Sequence, residues 1–105
     1  MANFPENDRD FDVLTESETL VKKPPLYKVL LHNDDYTTME FVVYVLRNVF
    51  RKSETEAFTI MLRVHQAGVG VAGTYTREVA EMKAEKCMQL ARANDYPLLC
   101  TIEEE

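Results

Sequence analysis

Apolar residues follow two different periods in the part of the chain that begins after residue 25. Residues 26–31 (LYKVLL) are rich in branched and aromatic side chains, which is typical of a strand. Between Thr37 and Phe50, apolar residues recur at spacings of three and four, which predicts a helix with one buried face. Thr37 and Glu40 stand three residues apart, as in a capping box, so we expect this helix to begin just after Thr37.

The second half of the chain carries the same kinds of signal. Ser53 and Glu56 form a second capping-box pair, and Gly68 is a typical residue at the end of a helix. Short apolar runs bounded by turn residues predict two more strands. The predicted elements are a helix opened by Ser53 and ended by Gly68, a strand over residues 66–75, a helix capped by Thr76 that runs to about Asn94, and a strand over residues 98–102.

The order of these elements is β-α-α-β-α-β. This order predicts an α+β domain in which a small three-stranded antiparallel sheet packs against three helices. Residues 1–23 are polar and acidic, show no sustained period, and are expected to form a flexible N-terminal extension. Pro24 and Pro25 then exclude a helix, so the folded core domain is predicted to span residues 24–105.

Length and charge narrow the classes of function. The chain has 105 residues and a net charge of −6, which suits one small domain and argues against nucleic acid, because a phosphate backbone requires a cationic surface. No apolar run is long enough to span a bilayer, and residues 1–10 lack the apolar segment of a secretion signal. Cys87 and Cys100 do not form a CxxC motif, so we expect both thiols to be free and packed in a reducing cytoplasm. We further expect a monomer without a membrane partner.

Three glycines match a nucleotide-binding pattern, but the elements around them argue against a nucleotide site. Gly68, Gly70 and Gly73 match the dinucleotide-binding pattern GxGxxG letter for letter. That pattern holds a pyrophosphate only when it follows a strand and opens a helix. Here the glycines follow a helix and lie within a predicted strand. We therefore interpret them as a helix end and as a strand that another element approaches closely.

The densest polar segment is HNDDYTT, which joins the first strand to the first helix. A turn explains Asn33 and Asp34, and acidic residues complement the positive end of the following helix. His32, Asp34 and Asp35, together with His65 of the second helix, are also residue types that bind divalent metal ions. No known metal-binding spacing connects them, so a small metal-dependent hydrolase is kept only as an alternative.

Apolar residues near this loop support a third interpretation. Met39 opens the first helix, and Met61 and Val64 lie beside His65 in the second. Core packing explains each methionine singly, but thioether side chains also suit pockets that accept several apolar shapes. An apolar pocket rimmed by an amide, carboxylates and an imidazole fits a cation that carries a hydrophobic group.

Five segments that occur in order resemble the ClpS family. They are KPPLYKV, NDDYTTMEFV, MLRVH, TREVAEMK and YPLLCT, and together they extend over roughly residues 23–102. Members of this family are bacterial adaptors that deliver N-degron substrates to the ClpA unfoldase of the ClpAP protease. The resemblance implies an adaptor that is not an enzyme and uses no cofactor.

The resemblance also implies a substrate site. The substrate's free α-amino group would contact Asn33, Asp35 and His65, which supply the three acceptors that an ammonium group needs. Asp34, Thr37 and Thr38 would lie at the rim. The first side chain of the substrate, Phe, Tyr, Trp or Leu, would enter an apolar pocket in which Met39 acts as gatekeeper. The residues that match this pocket are Met39, Val42, Met61, Val64 and Leu98.

Two further regions match the family, and one position departs from it. Glu78 and Lys83 match the charged contacts that dock the family on the N-terminal domain of the unfoldase, and the extension before Pro24 matches a segment required for substrate hand-over. The family usually has proline where this chain has Thr38, so a ClpS-like protein with an altered preference for the first residue is a second alternative. His32 matches no family role and is expected on the surface.

Overall fold

The structure is a computed structural model that describes residues 23–105. The predicted α+β class and the order β-α-α-β-α-β are confirmed. The elements are β1 Leu26–His32, α1 Met39–Asn48, α2 Glu54–Ala67, β2 Val69–Thr76, α3 Arg77–Ala93 and β3 Leu99–Glu104. The N-terminal extension predicted for residues 1–23 lies, except for Lys23, outside the described residues, and the boundary between extension and core domain stays a prediction.

The sheet has β1 at its centre, with β2 and β3 antiparallel on either side. Val29 and Leu31 are fully buried on the face that the helices cover. Leu30 and His32 alternate with them and are half-buried on the other face. The pairing of β1 with β2 shifts between Val29 and Leu30, so β2 carries one extra residue there. Strand β1 ends at His32, and the polar loop that follows leads to α1.

The core lies between this sheet and the three helices. From α1, Val45 and Leu46 are fully buried, whereas α3 buries mainly small residues. Small side chains allow α3 to pack close to the sheet. Cys87 and Cys100 are both free and buried, as predicted, and their sulfur atoms lie 2.7 Å apart. The hydrogen bond with Cys87, together with burial, raises the pKa of the Cys100 thiol.

The first helix begins differently from the prediction. The expectation that Thr37 caps α1 is wrong, because the Thr38 hydroxyl accepts the hydrogen bond from the Phe41 amide, at 3.1 Å. The Thr37 hydroxyl instead donates to Asp34 inside the loop. The capping box of Ser53 and Glu56 at the start of α2 is confirmed, and so is the end of α2 at Gly68, whose φ is 89°.

Other differences concern element ends. Helix α1 ends at Asn48 rather than Phe50, and β2 begins at Val69 rather than residue 66 because α2 continues to Ala67. Strand β3 extends two residues beyond Ile102. Thr76 precedes α3 as expected, but its side chain makes no capping hydrogen bond.

The close approach predicted at the glycine-rich strand is present. A Cβ atom added to Gly70 would lie 2.7 Å from Cγ2 of Val64, which is too close for any side chain. Because Gly70 has no side chain, α2 packs directly on β2 at this point. The contact fixes Val64, and with it the last turns of α2, against the sheet.

Candidate functional site

The loop between β1 and α1 is fixed at its start to the end of α2. The backbone N–H of Asn33 donates to the carbonyl of Gly68 at 2.9 Å. Gly68 is the C-terminal cap of α2, and His65 lies in the last turn of that helix. This single hydrogen bond therefore connects the polar loop to the helix end that carries the imidazole.

Asp34 shapes the loop. Its carboxylate accepts from the amides of Tyr36 and Thr37, at 2.8 and 2.7 Å, and from the Thr37 hydroxyl at 2.8 Å. Partial burial alone raises the pKa of Asp34, but the hydrogen bonds from Thr37 and Tyr36 outweigh it, so the pKa lies below its usual value. Asp34 is thus an ionised structural residue whose acceptors are occupied by its own loop.

A pocket of about 370 Å³ lies between the loop, the start of α1 and the second half of α2. Its volume falls in the range usual for small-ligand sites. The deep part is apolar, because Val42, Met61 and Val64 are each nearly fully buried. Met39 is 46 % exposed and lies where the pocket opens to solvent. The lining residues are Asn33, Asp34, Asp35, Tyr36, Thr37, Thr38, Met39, Val42, Met61, Val64 and His65.

The polar part of the pocket contains acceptors that the protein does not use. Asn33, Asp35 and His65 are exposed, and none of their side chains hydrogen-bonds to another group within residues 23–105. They offer an amide oxygen, a carboxylate and an imidazole nitrogen, and the C-terminal end of α2 adds partial negative charge. The arrangement suits a cationic group at the rim joined to an apolar group below it.

Comparison with known proteins gives the family. The family model described as "ATP-dependent Clp protease adaptor protein ClpS" matches residues 22–101. The chain belongs to the ClpS family. A relative from Desulfatibacillum aliphaticivorans is 60 % identical, with 90 % of each chain covered, and one from Myxococcus xanthus is 57 % identical, with 95 % of each covered. Both are named ATP-dependent Clp protease adapter protein ClpS, and neither name describes an enzyme.

A solved ClpS structure has the same fold. The structure of Agrobacterium tumefaciens ClpS2 bound to L-phenylalaninamide superposes with a TM-score of 0.76 at 44 % sequence identity. It covers 78 % of this chain and 99 % of its own. The shared part therefore accounts for nearly the whole of that protein.

The pocket brings together most of the residues that the sequence singled out. Leu98 is not among the lining residues, although it is buried in the same core cluster as Val42, Met61 and Val64, so its place in the pocket stays a prediction. Tyr36 does line it, 75 % exposed at the rim, although the sequence analysis gave it no role. The position of Tyr36 inside NDDYTT was the one feature of the sequence that could have predicted this place at the rim. The roles assigned to the other lining residues stay predictions.

The metal-site alternative receives no support from the geometry. His32 was expected on the surface, but it is half-buried, and its Nε2 lies 2.8 Å from Oγ1 of Thr101 on the neighbouring strand. Within residues 23–105, no three His, Cys, Asp or Glu side chains are grouped so that they could hold a metal ion. His32, Asp34 and His65 are therefore not assembled into one site. Among the helices of residues 23–105, none has both the length and the hydropathy needed to cross a membrane.

The two residues predicted to dock the unfoldase lie on α3. Glu78 is exposed in the first turn of the helix. Lys83 is half-buried; its ammonium group donates to the carbonyl of Val49 at 2.8 Å and lies 5.4 Å from the centre of the Tyr75 ring. The ammonium group of Lys83 thus bridges α3 and the residue that caps α1, while Glu78 faces solvent.

Proposed function

We propose that this chain is a cytoplasmic, monomeric adaptor for N-degron proteins. It binds the free α-amino group and the bulky hydrophobic first side chain of a substrate, Phe, Tyr, Trp or Leu. It then delivers that substrate to the N-terminal domain of a ClpA-type AAA+ unfoldase. The chain itself performs no chemistry, and it acts by holding one end of another protein near the unfoldase.

The observation that carries this proposal is that two adjacent carboxylates differ in their hydrogen bonds. Asp34 accepts three hydrogen bonds from its own loop, whereas Asp35 has no hydrogen-bond partner within residues 23–105. Asp35 lines the same pocket as Asn33 and His65, above an apolar floor. A carboxylate held at a pocket rim with no internal partner is a suitable counter-charge for a ligand cation.

The physical chemistry of a chain terminus matches these acceptors. A terminal ammonium group has one positive charge and three donors, which pair with Asn33, Asp35 and His65. Hydrogen bonds to charged groups contribute about 1.5–3 kcal/mol each. A residue inside a chain has only one backbone N–H and no charge, so it would leave desolvated acceptors unpaired at a cost of about 1–3 kcal/mol per group. This difference gives selectivity for chain ends.

The apolar floor adds selectivity for the first side chain. Full burial of a side chain as large as Phe or Leu contributes about 1.5–3 kcal/mol. Met39, at the pocket mouth, would crowd a first residue branched at Cβ, whose bulk lies next to the backbone. The ligand of the Agrobacterium relative supports this arrangement, because L-phenylalaninamide combines a free ammonium group, a benzyl side chain and one amide.

Two observations support delivery to an unfoldase: the names of the relatives and the charged residues on α3. The relatives are named Clp protease adapters, which supports a Clp protease as the partner. Glu78, exposed near the start of α3, and Lys83 are the residues we assign to contact with the unfoldase. Residues 1–23 are assigned to substrate hand-over, so their removal should block degradation while peptide binding persists.

The decisive experiment compares two peptides that differ only at the terminus. A fluorescent peptide that begins with Phe is titrated by anisotropy against the protein, and the same peptide is tested after N-terminal acetylation. We expect acetylation to weaken binding at least about a hundredfold, or about 2.8 kcal/mol. Equal affinity for the two peptides, or no affinity for either, would overturn the proposal.

A second candidate differs only in which first residue is preferred. Thr38 stands beside Met39, and its hydroxyl both caps α1 and lies 3.4 Å from the Tyr96 hydroxyl. A hydroxyl at this position gives the pocket mouth a polar contact that proline would lack. A panel of otherwise identical peptides with each of the 20 first residues separates the two candidates. Tightest binding to a residue other than Phe, Tyr, Trp or Leu would favour the second.

A further inference from the structure

A groove at the far end of α1 from the pocket collects positive charge. It runs between the residues that end α1 and the middle of α3, and three cations line it: Arg51, Lys83 and Lys86. Arg47 lines the adjoining hollow next to Arg51. We call this surface the basic cleft. Its remaining lining residues are Asn48, Val49, Met82, Glu85 and Gln89.

The cations of the basic cleft are not neutralised by the described part of the chain. The ion pairs found within residues 23–105 are Lys28 with Glu103 and Arg77 with Glu81, both outside the cleft. The one carboxylate in the cleft, that of Glu85, forms no ion pair and accepts a hydrogen bond from the amide of Gln89 at 3.2 Å. Three cations therefore share the cleft with one carboxylate, and an anionic occupant would relieve the remaining repulsion.

Arg51 is held in the cleft by an unusual backbone conformation. Its φ is 58°, in the left-handed region that normally favours glycine at this place after a helix. The next amide, that of Lys52, donates back to the carbonyl of Leu46 at 3.0 Å and closes the helix end. The chain therefore carries a guanidinium group where helix termination alone would favour a residue without a side chain.

The acidic character of this protein resides mainly in the residues that precede the described domain. Residues 1–22 contain six carboxylates and two cations, against 18 and 12 in the whole chain. They therefore account for four of the six net negative charges. All six carboxylates fall within residues 6–18, which we call the acidic segment. Apolar residues alternate with them in FDVLTESETL, and the cleft offers Met82, 65 % exposed, as an apolar contact.

The acidic segment is attached at a point from which it reaches the cleft. Leu26, three residues after Lys23, pairs with Thr76, and α3 begins at the next residue, Arg77. Lys86 lies nine residues along α3, about 14 Å away at 1.5 Å per residue. Glu18 and Glu16 precede Leu26 by eight and ten residues, which span at most roughly 26–36 Å when extended. The chain between these glutamates and β1 is therefore long enough to reach Lys86. It is also short enough that the loss of entropy on closing the loop stays small.

We propose that the acidic segment of the same chain occupies the basic cleft, with its carboxylates against Arg51, Lys83 and Lys86. The contact is electrostatic and reversible. It covers Lys83, so in the docked state the segment competes with any acidic partner of that face. The competition with a partner rests on the proposed function, which assigns Lys83 to contact with the unfoldase. The contact between the acidic segment and the cleft does not depend on that assignment.

The contact is tested by amide NMR spectra of the full-length protein. The tail variant carries Asp12→Asn, Glu16→Gln and Glu18→Gln. We expect it to shift the amide signals of Arg51, Met82 and Lys86 relative to the parent protein, while those of the pocket residues stay unchanged. Raising KCl from about 0.02 M to about 0.5 M shortens the Debye length from roughly 20 Å to roughly 4 Å. Salt should move the same signals in the parent protein and leave them nearly still in the variant.

A matched pair of cleft variants supplies the control. Lys86→Gln should shift the amide signals of residues 12–18, whereas Arg63→Gln, which removes an exposed cation from α2, should not. Unchanged cleft signals in the tail variant would overturn the proposal. Shifts that grow with protein concentration would also overturn it, since they would mean that the segment occupies a second copy. Neither readout uses a substrate or an unfoldase, so failure here is distinguishable from failure of the proposed function.

Discussion

The two ends of α1 lie beside surfaces of opposite charge. At its start, the pocket presents unused acceptors and a free carboxylate over an apolar floor. At its end, the basic cleft presents three cations beside the exposed side chain of Met82. One helix of ten residues separates a surface suited to a cationic chain end from a surface suited to carboxylates.

Local charge, rather than net charge, decides what each of the two surfaces can bind. A net charge of −6 describes neither region. The pocket acts through short hydrogen bonds and burial of an apolar side chain, so salt should affect it less than it affects the cleft. The cleft acts through exposed charges, so salt should affect it strongly. Changes at one end of α1 should leave binding at the other end unaltered.

The largest effect is expected from Asp35→Asn. This change keeps the size of the side chain but removes the counter-charge of the ligand ammonium group. We expect affinity for a peptide beginning with Phe to fall by about 2 kcal/mol, roughly thirtyfold, at the lower end of values for charge pairs because Asp35 is exposed. Anisotropy titration measures the loss. Unchanged affinity would place the ammonium site elsewhere, and altered NMR signals in the basic cleft would contradict the separation of the two surfaces.

A smaller effect is expected from His65→Ala. The change removes an imidazole nitrogen that lines the pocket as an acceptor for the ligand ammonium group, while the apolar part of the pocket is kept. We expect affinity for a peptide beginning with Phe to fall about tenfold, or about 1.4 kcal/mol, as for one lost hydrogen bond to a charged group. The matched change His32→Ala should preserve the affinity, because His32 contacts Thr101 rather than the pocket. Anisotropy titration compares the two variants, and an equal loss in both would remove His65 from the contacts of the ligand.

Asp34→Asn tests the other carboxylate and should act on stability rather than on binding. The hydrogen bonds from Thr37 and Tyr36 lower the pKa of Asp34 in the folded protein. The carboxylate therefore stabilises the fold above its unfolded pKa of about 3.9, and this contribution is lost as pH falls through the lower folded value. Chemical denaturation should show the variant less stable than the parent at pH 7 and equally stable near pH 2. A constant difference at all pH values would mean that the charge of Asp34 contributes nothing.

Much of the fold was predictable because its signals are local. Periodicity of apolar residues gave the order of the elements, and Ser53, Glu56 and Gly68 marked the two ends of α2 correctly. Thr37 and Thr38 show the limit of such signals, since only Thr37 has a glutamate three residues later, yet Thr38 is the cap. Their roles are decided by Asp34, which takes the hydroxyl and amide of Thr37 and leaves Thr38 to cap the helix.

The site was less predictable because it depends on contacts between distant residues. The bond from His32 to Thr101 joins residues 69 positions apart, and it requires the pairing of β1 with β3 to be known. Leu98 was assigned to the pocket through the family resemblance alone, because no local pattern shows which core residues lie beneath a surface pocket. The basic cleft had no sequence signal at all, because Arg51 and Lys86 come together only when α3 packs beside the end of α1.

The smallest effect is expected at Thr38, where the family usually has proline. Thr38 has φ −75°, which proline also adopts, so Thr38→Pro introduces no strain. It removes a capping hydroxyl that contributes about 1 kcal/mol, but it restricts the unfolded chain, which restores about 0.4–1 kcal/mol. Thr38→Ala loses the cap without that compensation. Denaturation should therefore show Thr38→Ala destabilised by about 1 kcal/mol and Thr38→Pro nearly unchanged. Equal destabilisation of both would mean that the contact with Tyr96, which both variants lose, matters more than the cap.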